Sequence, residues 1–592
     1  ILADALNAAL GSVDLRRLKR ALMHGEGGSQ LLADESDNQL VAEFATKEGV
    51  KTEEWSVGFV NVTNGTFPPI SDKASVEKSG LSGEQKEAVE FVCRSRNQVV
   101  AVRGVAGAGK TTMLKALDRE LNAGGRDMLY LAPTASAVKT LQREGFENAT
   151  TVADYLTHAT RKPFANAVIV IDEAGLQSNR QGAEALALAQ KHRQRVVFVG
   201  DSRQHVSVEA GDFLRILETH SKLESRELKN VRRQIADDYR QAIIAMADGK
   251  TAAGMEQLDA MGWIHEGKAR YLQEAAEAWM DKSKQGTKTV DVVCVAPTWE
   301  ENFALSQEIR DRLKLAGQLG DSVEVDAVHS LKWTTEQKSR LAELAQATPG
   351  LLVTPTAHLS GLEQSRSYPV ESVEAGFVKL AGGHLLNAQK DARRFDVGTP
   401  RHLEIARGDQ LLIRMNDKAR GLINGQVVTV ESVRPDGSIH TQCDKEIPST
   451  FRQFAHGYVV TSHKAQGRTA RHVIVAAARV DSKAAYVGCS RGRESCDVFT
   501  PDKDRLFDGL AFDGNRRAAL DVLKEQRHAA RASISRPPSV VNRIKTAATS
   551  AMRRVVHAGR DRLRKHAVFA RRWNTPQEQQ VEKRTKKKVK TL

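Results

Sequence analysis

Cysteine is scarce in this chain and scattered. Its 592 residues include five, Cys93, Cys294, Cys443, Cys489 and Cys496, with no CxxC spacing among them. That excludes a zinc ribbon and reads as reduced thiols packed as small hydrophobes. No apolar run reaches the roughly 18 residues that a membrane helix needs, so no span is expected. The opening stretch lacks a basic region followed by an apolar core and a small-residue cleavage site, so no secretory signal is read there. These absences point to a cytoplasmic protein. The first residue is Ile1 and not Met, so the chain is expected to be processed or a piece of a longer polypeptide.

What is in excess is positive charge. Lys and Arg number 88 against 73 Asp and Glu, a formal net charge of +15. This favours a polyanionic partner, nucleic acid before an anionic membrane, with simple solubility as the alternative. A hydrophobic share of 41% and a charged share of 27% are ordinary for a globular protein, and the length calls for several domains.

Along the chain, residues 1–78 hold a helical pattern, "DLRRLKRALMHG", and a β-like stretch, "EEWSVGFVNVTNGTFPP", which together read as an accessory domain or its remnant. From 79 to 235, the runs "QVVAVRG", "MLYLAPT", "AVIVIDEAG" and "RVVFVGD" alternate with helical sequence. Short continuous apolar runs of this kind are buried parallel strands, and their carboxyl ends gather the ligand-binding groups of an open α/β sheet. A second α/β unit, 236–315 and 455–511, contains "DVVCVAPT", "HVIVAAARV" and "DVFTPD". Between its halves, 316–454 is rich in β-branched residues and tight turns and reads as an inserted small β-barrel. The stretch 512–592 is helical and basic and ends in "VEKRTKKKVKTL", a charge run expected to be partly disordered.

The motifs carry chemistry. "GVAGAGKT", Gly104 to Thr111, fits GxxxxGK[ST] between a strand and a helix. Gly104, Gly107, Ala108 and Gly109 bring backbone N–H groups up to phosphate oxygens. Lys110 supplies positive charge to the β and γ phosphates of ATP, and the Thr111 hydroxyl, with Thr112 behind it, opens the helix on the Mg²⁺ side. "VIVIDEAG" sets Asp172 and Glu173 at a strand end, one to hold the metal and the other to polarise the attacking water. In "FVGDSRQ", Gly200, Asp201 and Gln204 stand where a γ-phosphate can be sensed; an ordinary strand-to-helix turn is the alternative. "LKNVRRQ" offers arginines at the junction of the two units, and "YVGCSRGRE" offers Arg491 as a second charge for the same phosphate. Such a guanidinium is worth a factor of about 10³–10⁵ in rate. Trp299, after "VAPT", is read either as a base-stacking side chain or as a core tryptophan.

In this order, these blocks resemble a superfamily 1 helicase, closest to the RecD-type branch and within it to the helicase part of conjugative relaxase–helicases of the TraI/TrwC type. The likeness runs over roughly residues 80 to 505 and rests on "LSGEQKEAV", "LAPTASAV", "DEAG", "GDSRQ", "VRRQ", "TSHKAQGRT" and "YVGCSRGRE", with "LKWTTEQKSRL" and "GDQLLIRMND…GLINGQ". It implies two RecA-like P-loop NTPase domains, the second carrying an SH3-like insertion. It makes Gln85 the adenine-reading glutamine, puts Thr111 and Asp172 on Mg²⁺, makes Glu173 the residue that activates water, gives Gln204 a coupling role, and makes Arg233 the finger that pairs with Arg491. It also implies that Pro133, Thr134, Thr151, Thr298, Thr461 and His463 contact the DNA strand. His463 could instead hydrogen-bond its own turn.

The implied activity is an ATP-dependent helicase or translocase moving 5′ to 3′ on single-stranded DNA and at single-strand/duplex junctions, in conjugative transfer, with type IV secretion, relaxosome or repair-complex proteins as partners. A relaxase of this type also nicks DNA through a tyrosine and a metal-binding histidine cluster. Residues 1–78 contain no tyrosine and only His24, so no such nicking is expected of them. Two other readings stay open: an ATP-switched DNA-binding or recruitment module, and a RecD-like subunit of a recombination or repair complex. The basic tail either adds DNA affinity through counterion release or is simply solvated.

Overall fold

The computed structural model describes residues 31–33, 44–71, 80–158, 167–205, 211–283, 291–374, 376–417, 419–512 and 518–521. Two units separate, 1–32 with 44–520 and 33–43 with 521–592. The elements below belong to the first.

The first sheet, of lobe 1, is fully parallel. Its strands are β1 (Val99–Gly104), β2 (Met128–Ala132), β3 (Thr150–Thr151), β4 (Val168–Ile171), β5 (Arg195–Gly200) and β6 (Glu224–Leu228). Their spatial order is β3-β2-β4-β5-β1-β6. The four runs read from the sequence are β1, β2, β4 and β5, the buried centre, where every residue of β2, β4 and β5 is buried. The two flanking strands escaped the reading because one is two residues long and the other, "ESREL", is mostly exposed and polar.

The second parallel sheet, of lobe 2, contains β7 (Ile264–Glu266), β8 (Val292–Val295), β20 (Val459–Val460), β21 (Ala470–Ala476) and β22 (Gly492–Thr500), in the order β20-β8-β21-β22-β7. The insertion leaves after the helix Trp299–Leu315 and returns before β20. It is larger than one small barrel. A six-stranded antiparallel sheet runs β9-β14-β10-β11-β12-β13, from β9 (Ser322–Ser330), β10 (Leu352–Pro355), β11 (Tyr368–Glu374), β12 (Phe377–Leu380), β13 (His384–Leu386) and β14 (Phe395–Ala406). A five-stranded antiparallel sheet runs β18-β17-β16-β15-β19, from β15 (Gln410–Ile413), β16 (Val427–Val433), β17 (Ile439–Thr441), β18 (Glu446–Ile447) and β19 (Phe454–His456).

A buried ion pair locks the insertion to lobe 2. Arg310, on the helix Trp299–Leu315 with no side-chain exposure, donates from Nε to both oxygens of Asp409 at 3.1 and 3.0 Å, from Nη1 to Glu404 at 2.9 Å and from Nη2 to Ser322 at 2.8 Å. Tyr458 completes Asp409 with a 2.7 Å hydroxyl bond. Removing one partner of such a set strands a buried charge, so the geometry is fixed even where the net stabilisation is small.

One reading is corrected. The stretch taken as β-like lies largely in an α-helix, Lys47–Val62. Thr46 caps it by accepting from Gly49 N–H at 3.0 Å. Its buried side, Val50, Glu53, Ser56, Phe59 and Val60, follows the three-to-four-residue helical spacing that the local β-branched residues obscured. Phe59 and Val60 share a core with Leu129, Ile169 and Phe198 of the first sheet. The turn after the helix has Gly65 at φ 72°, so the Asn-Gly reading there stands. The "DLRRLKRALMHG" pattern and the chain from 522 on lie outside the described residues.

Candidate functional site between the two lobes

Strand β1 ends at Gly104 and the helix Lys110–Ala123 starts six residues later. The loop needs glycine for space as much as for conformation. A Cβ on Gly107 (φ +81°) would come 2.6 Å from Arg233 Cβ, and one on Gly109 (φ +80°) would come 2.6 Å from Gln85 Nε2. Lys110 folds back over the loop and donates from Nζ to the Gly104 carbonyl at 2.7 Å. Ala108 is buried, while Thr111 and Thr112 sit on the first turn of the helix at the surface of the loop.

Gln85 is buried against this loop. It donates to the Gly109 carbonyl at 3.0 Å and more weakly to Ala108 O at 3.5 Å, and its Oε1 accepts from Ser82 N–H at 3.1 Å. Both ends of the amide are committed to backbone here, so its contact with the loop is direct.

Strand β4 delivers Asp172 and Glu173. Glu173 has φ 52°, a left-handed conformation costly for a residue with a Cβ. The turn is clamped from behind: a Cβ on Gly200 would lie 2.8 Å from Ala174 N, and one on Gly175 would lie 2.7 Å from Asp201 O. Asp172 Oδ1 is buried and has no hydrogen-bond partner. Burial pushes its carboxyl up to about 7, the Glu173 charge adds to this, and Lys110 opposes it. Glu173 is held from the other lobe, where Gln466 Nε2 donates to its Oε2 at 3.0 Å.

The two arginines arrive together. Arg233 Nη1 donates to Ser490 O at 2.7 Å, Gln234 Nε2 donates to Gly492 O at 2.8 Å, and Tyr239 donates to Cys489 O at 2.5 Å. The "VRRQ" segment is therefore latched to the turn that carries Arg491, while Arg233 lies over Gly107 of the P-loop. Arg491 is enclosed, donating to Val487 O at 2.8 Å and Ser490 Oγ at 2.6 Å. No carboxylate pairs with either guanidinium within 4.0 Å among the described residues. Burial lowers the pKa of both, to about 9 for Arg233, where Arg491 also pushes down; Glu173 acts in the opposite sense on both. Gln204, also buried, donates to Asp201 Oδ2 at 3.3 Å.

The residues expected on the DNA strand are placed in different ways. Thr134, Thr151 and Thr298 are occupied as helix starters: each hydroxyl accepts a backbone N–H three residues on, and Thr298 also donates to Glu301 at 2.7 Å. Pro133 immediately precedes the first of these, and Thr461 begins the short helix Ser462–Ala465 without a side-chain cap. The His463 ring stacks on His205 of lobe 1, with centroids 3.8 Å apart and planes at 7°. Trp299 is half-buried and not a core residue, with the Arg414 guanidinium 4.3 Å from its ring centroid and Phe303 beside it at 5.5 Å.

Around Trp299 lies a cluster that the sequence reading missed. Arg401 covers Phe303 at 3.5 Å, Lys332, Arg414 and Arg468 crowd Lys464, and Arg414 also acts on Lys332. Lys464 is held down at about 8 by burial and then by Lys332, Arg468 and Arg414, all cations. Among the described residues, Asp396 is the carboxylate that acts on both Arg414 and Lys332. The Asn424-Gly425 turn docks here: Lys464 donates to Asn424 at 2.8 Å and Arg468 to Gly425 O at 3.3 Å. Desolvated cations beside an aromatic pair can take phosphates and bases together.

Residues 80–269 match the family model described as an AAA domain. The chain is 26% identical over 450 residues to a probable conjugal transfer protein TraA of Sinorhizobium fredii, covering 74% of this chain and 34% of that protein. It is 22% identical over 510 residues to the multifunctional conjugation protein TraI of Escherichia coli, covering 75% and 29%. It thus spans about a third of the length of the relatives it matches. Among solved structures, Bacteroides Pif1 bound to ssDNA resembles it at 14% identity and a TM-score of 0.40, over 76% of this chain and 97% of that one. The sheets described above carry the fold assignment; in sequence the chain is similar to the conjugal transfer proteins TraA and TraI, and residues 80–269 match an AAA domain.

Proposed function

We propose that this chain is an ATP-driven DNA helicase, translocating 5′ to 3′ on single-stranded DNA as the helicase portion of a conjugative transfer protein. The observation that carries the reading is the meeting of two sets of groups: a P-loop with Lys110, Asp172 and Glu173 on lobe 1, and Gln466 and Arg491, with Arg233 latched beside it, on the turns of lobe 2. Relatives named for conjugal transfer support the biological setting. Type IV secretion or relaxosome proteins are the partners that this setting supplies, and the cytoplasm is its compartment.

Thr111 and Asp172 are the residues that would hold Mg²⁺. The fit is chemical: Asp172 Oδ1 is a buried, unpartnered oxygen beside the loop, and a cation is what such an oxygen accepts. When bound, the ion neutralises charge building on the β and γ phosphates. Lys110 must leave the Gly104 carbonyl to reach the same oxygens. Glu173, steadied by Gln466, orients the attacking water, and Gln204 relays the γ-phosphate through Asp201. Arg233 and Arg491 gain a charge partner only when a phosphate is present, so nucleotide favours lobe closure. Gln85 couples adenine to the loop it already touches.

The strand runs along a groove formed by Trp299, Phe303 and the cations around them, with the five-stranded sheet acting as the SH3-like part of the insertion. Pro133, Thr134, Thr151, Thr298, Thr461 and His463 border this path as turn and helix-start residues. Duplexes with 5′ or 3′ single-stranded tails test the reading. ATP-dependent separation of the 5′-tailed substrate, lost in Lys110→Ala, is expected. Tight DNA binding and ATP turnover without strand separation on either substrate would leave a switched recruitment module instead.

A further inference from the structure

Tyr486 stands in the same sequence block as Arg491, yet the functional reading above gives it no task. It lies on the lobe 2 helix Ser482–Cys489 and is only 1% exposed. Its hydroxyl is not satisfied within lobe 2. It accepts from the P-loop N–H of Ala106 at 2.9 Å and donates to Asp201 Oδ2 at 3.0 Å, both in lobe 1. Asp201 Oδ2 is also the oxygen that Gln204 Nε2 reaches at 3.3 Å, while Asp201 Oδ1 accepts from Arg203 N–H at 3.0 Å. A single phenol therefore joins three things: the phosphate-binding loop, the carboxylate behind Gln204, and the lobe that carries Arg491.

Each end of this bridge is chemically specific. A P-loop N–H is a phosphate donor, and here the phenol oxygen occupies it. The nearest cation to the buried Asp201 carboxylate, Arg103 Nε, stands 4.0 Å from its Oδ1, so hydrogen-bond donors such as the phenol matter at Oδ2. Burial and the Asp201 charge hold the phenol far above its ordinary range, so the hydroxyl keeps the proton that it donates.

We propose that Tyr486 is a positioning residue for ATP hydrolysis. It holds Asp201, and through Asp201 the Gln204 amide, in register with the P-loop only while lobe 2 is seated, so that Gln204 is placed for reaction by the same movement that brings Arg491 in. This rests on the ATPase reading and deepens it. Tyr486 touches no substrate; it acts through Asp201.

The test is steady-state ATP turnover, with and without single-stranded DNA, by the wild-type chain, Tyr486→Phe, Gln204→Ala and the double variant. The Phe variant keeps the ring and loses only the hydroxyl. Its DNA-stimulated kcat should fall about tenfold, the loss of one hydrogen bond to a charged group. Its KM for ATP should stay within about twofold, because Lys110 and the other P-loop N–H groups that hold the phosphates are kept. The double variant should be no slower than the slower single, since both act on one element. Asp201→Asn paired with Tyr486→Phe gives the same non-additivity if Gln204→Ala misfolds. A Phe variant with wild-type kcat, one whose loss falls on KM with a lowered unfolding midpoint, or losses that multiply in the double variant would each overturn the proposal. A wild-type chain without ATP turnover would sink the ATPase reading and this inference together, whereas turnover with multiplying losses sinks the inference alone.

Discussion

Buried Arg491 in the cleft and half-buried Lys464 beside Trp299 are both cations with cationic neighbours, but they are held differently. Arg491 is enclosed and its guanidinium is tied to the turn that carries it. Lys464 reaches out to the Asn424 turn of the insertion and sits among Lys332, Arg414 and Arg468. On the proposed function, the cleft brings a few groups to one small anion, where position decides rate. On the same proposal, the groove spreads charge and two aromatic rings along a strand, where many contacts sum and salt weakens them. Damage in the cleft should therefore appear as lost turnover, and damage in the groove as lost DNA affinity.

The largest effect that sharpens this contrast is Glu173→Gln. ATP turnover should fall about 10²–10⁴-fold, the range for removing a general base, with DNA affinity unchanged in a fluorescence titration. A loss of affinity without loss of turnover would break the division. Next is Trp299→Ala, expected to weaken single-stranded DNA binding by about 1–3 kcal/mol while turnover at saturating DNA persists. An unchanged dissociation constant would return Trp299 to a packing role.

A smaller effect belongs to the stacked histidines that join the lobes. Burial, then His463, Arg491 and Lys483, hold His205 down at about 2, whereas an ordinary histidine titrates at 6.5. The unfolded chain thus takes a proton near 6.5 that the folded chain refuses. Stability from this site is complete above that pH and is lost as pH falls below it, by about 1 kcal/mol over the first unit. His205→Phe should flatten that part of the unfolding midpoint's pH profile. A profile identical to wild type would remove His205 as its cause.

The smallest concerns Lys464. A bound phosphate raises a lysine held at about 8, so binding takes up a proton and DNA affinity should weaken as pH rises from about 7 to about 9. Lys464→Met should remove that dependence and lower the salt slope by about one. A variant with the wild-type slope would place the phosphate elsewhere.

These two regions were not equally legible in the sequence. Gly104 to Thr111 form one loop, and Asp172 and Glu173 follow one strand end, so motif spacing alone singled them out. Gln466 and Tyr486 lie inside blocks already singled out, but only the fold reveals that each reaches across to lobe 1. The groove is assembled from Trp299 and Phe303, Lys332, Arg401 and Arg414, and Lys464 and Arg468, segments that share no local pattern. Thr298 shows the opposite limit. Its T-x-x-E spacing with Glu301 signals a helix start, which is the work its hydroxyl does here. The helix Lys47–Val62 was misread because its β-branched and aromatic residues favour strands locally, while packing of Phe59 and Val60 on the first sheet decides the outcome.

The central claim is that lobe 2 completes the catalytic site, and Arg491→Lys tests it most directly. The variant keeps a positive charge and loses the guanidinium fork. With folding checked by the unfolding midpoint, DNA-stimulated ATP turnover should fall about 10³-fold or more, while ADP affinity stays within about threefold. Turnover within about threefold of wild type in a folded variant would contradict the account.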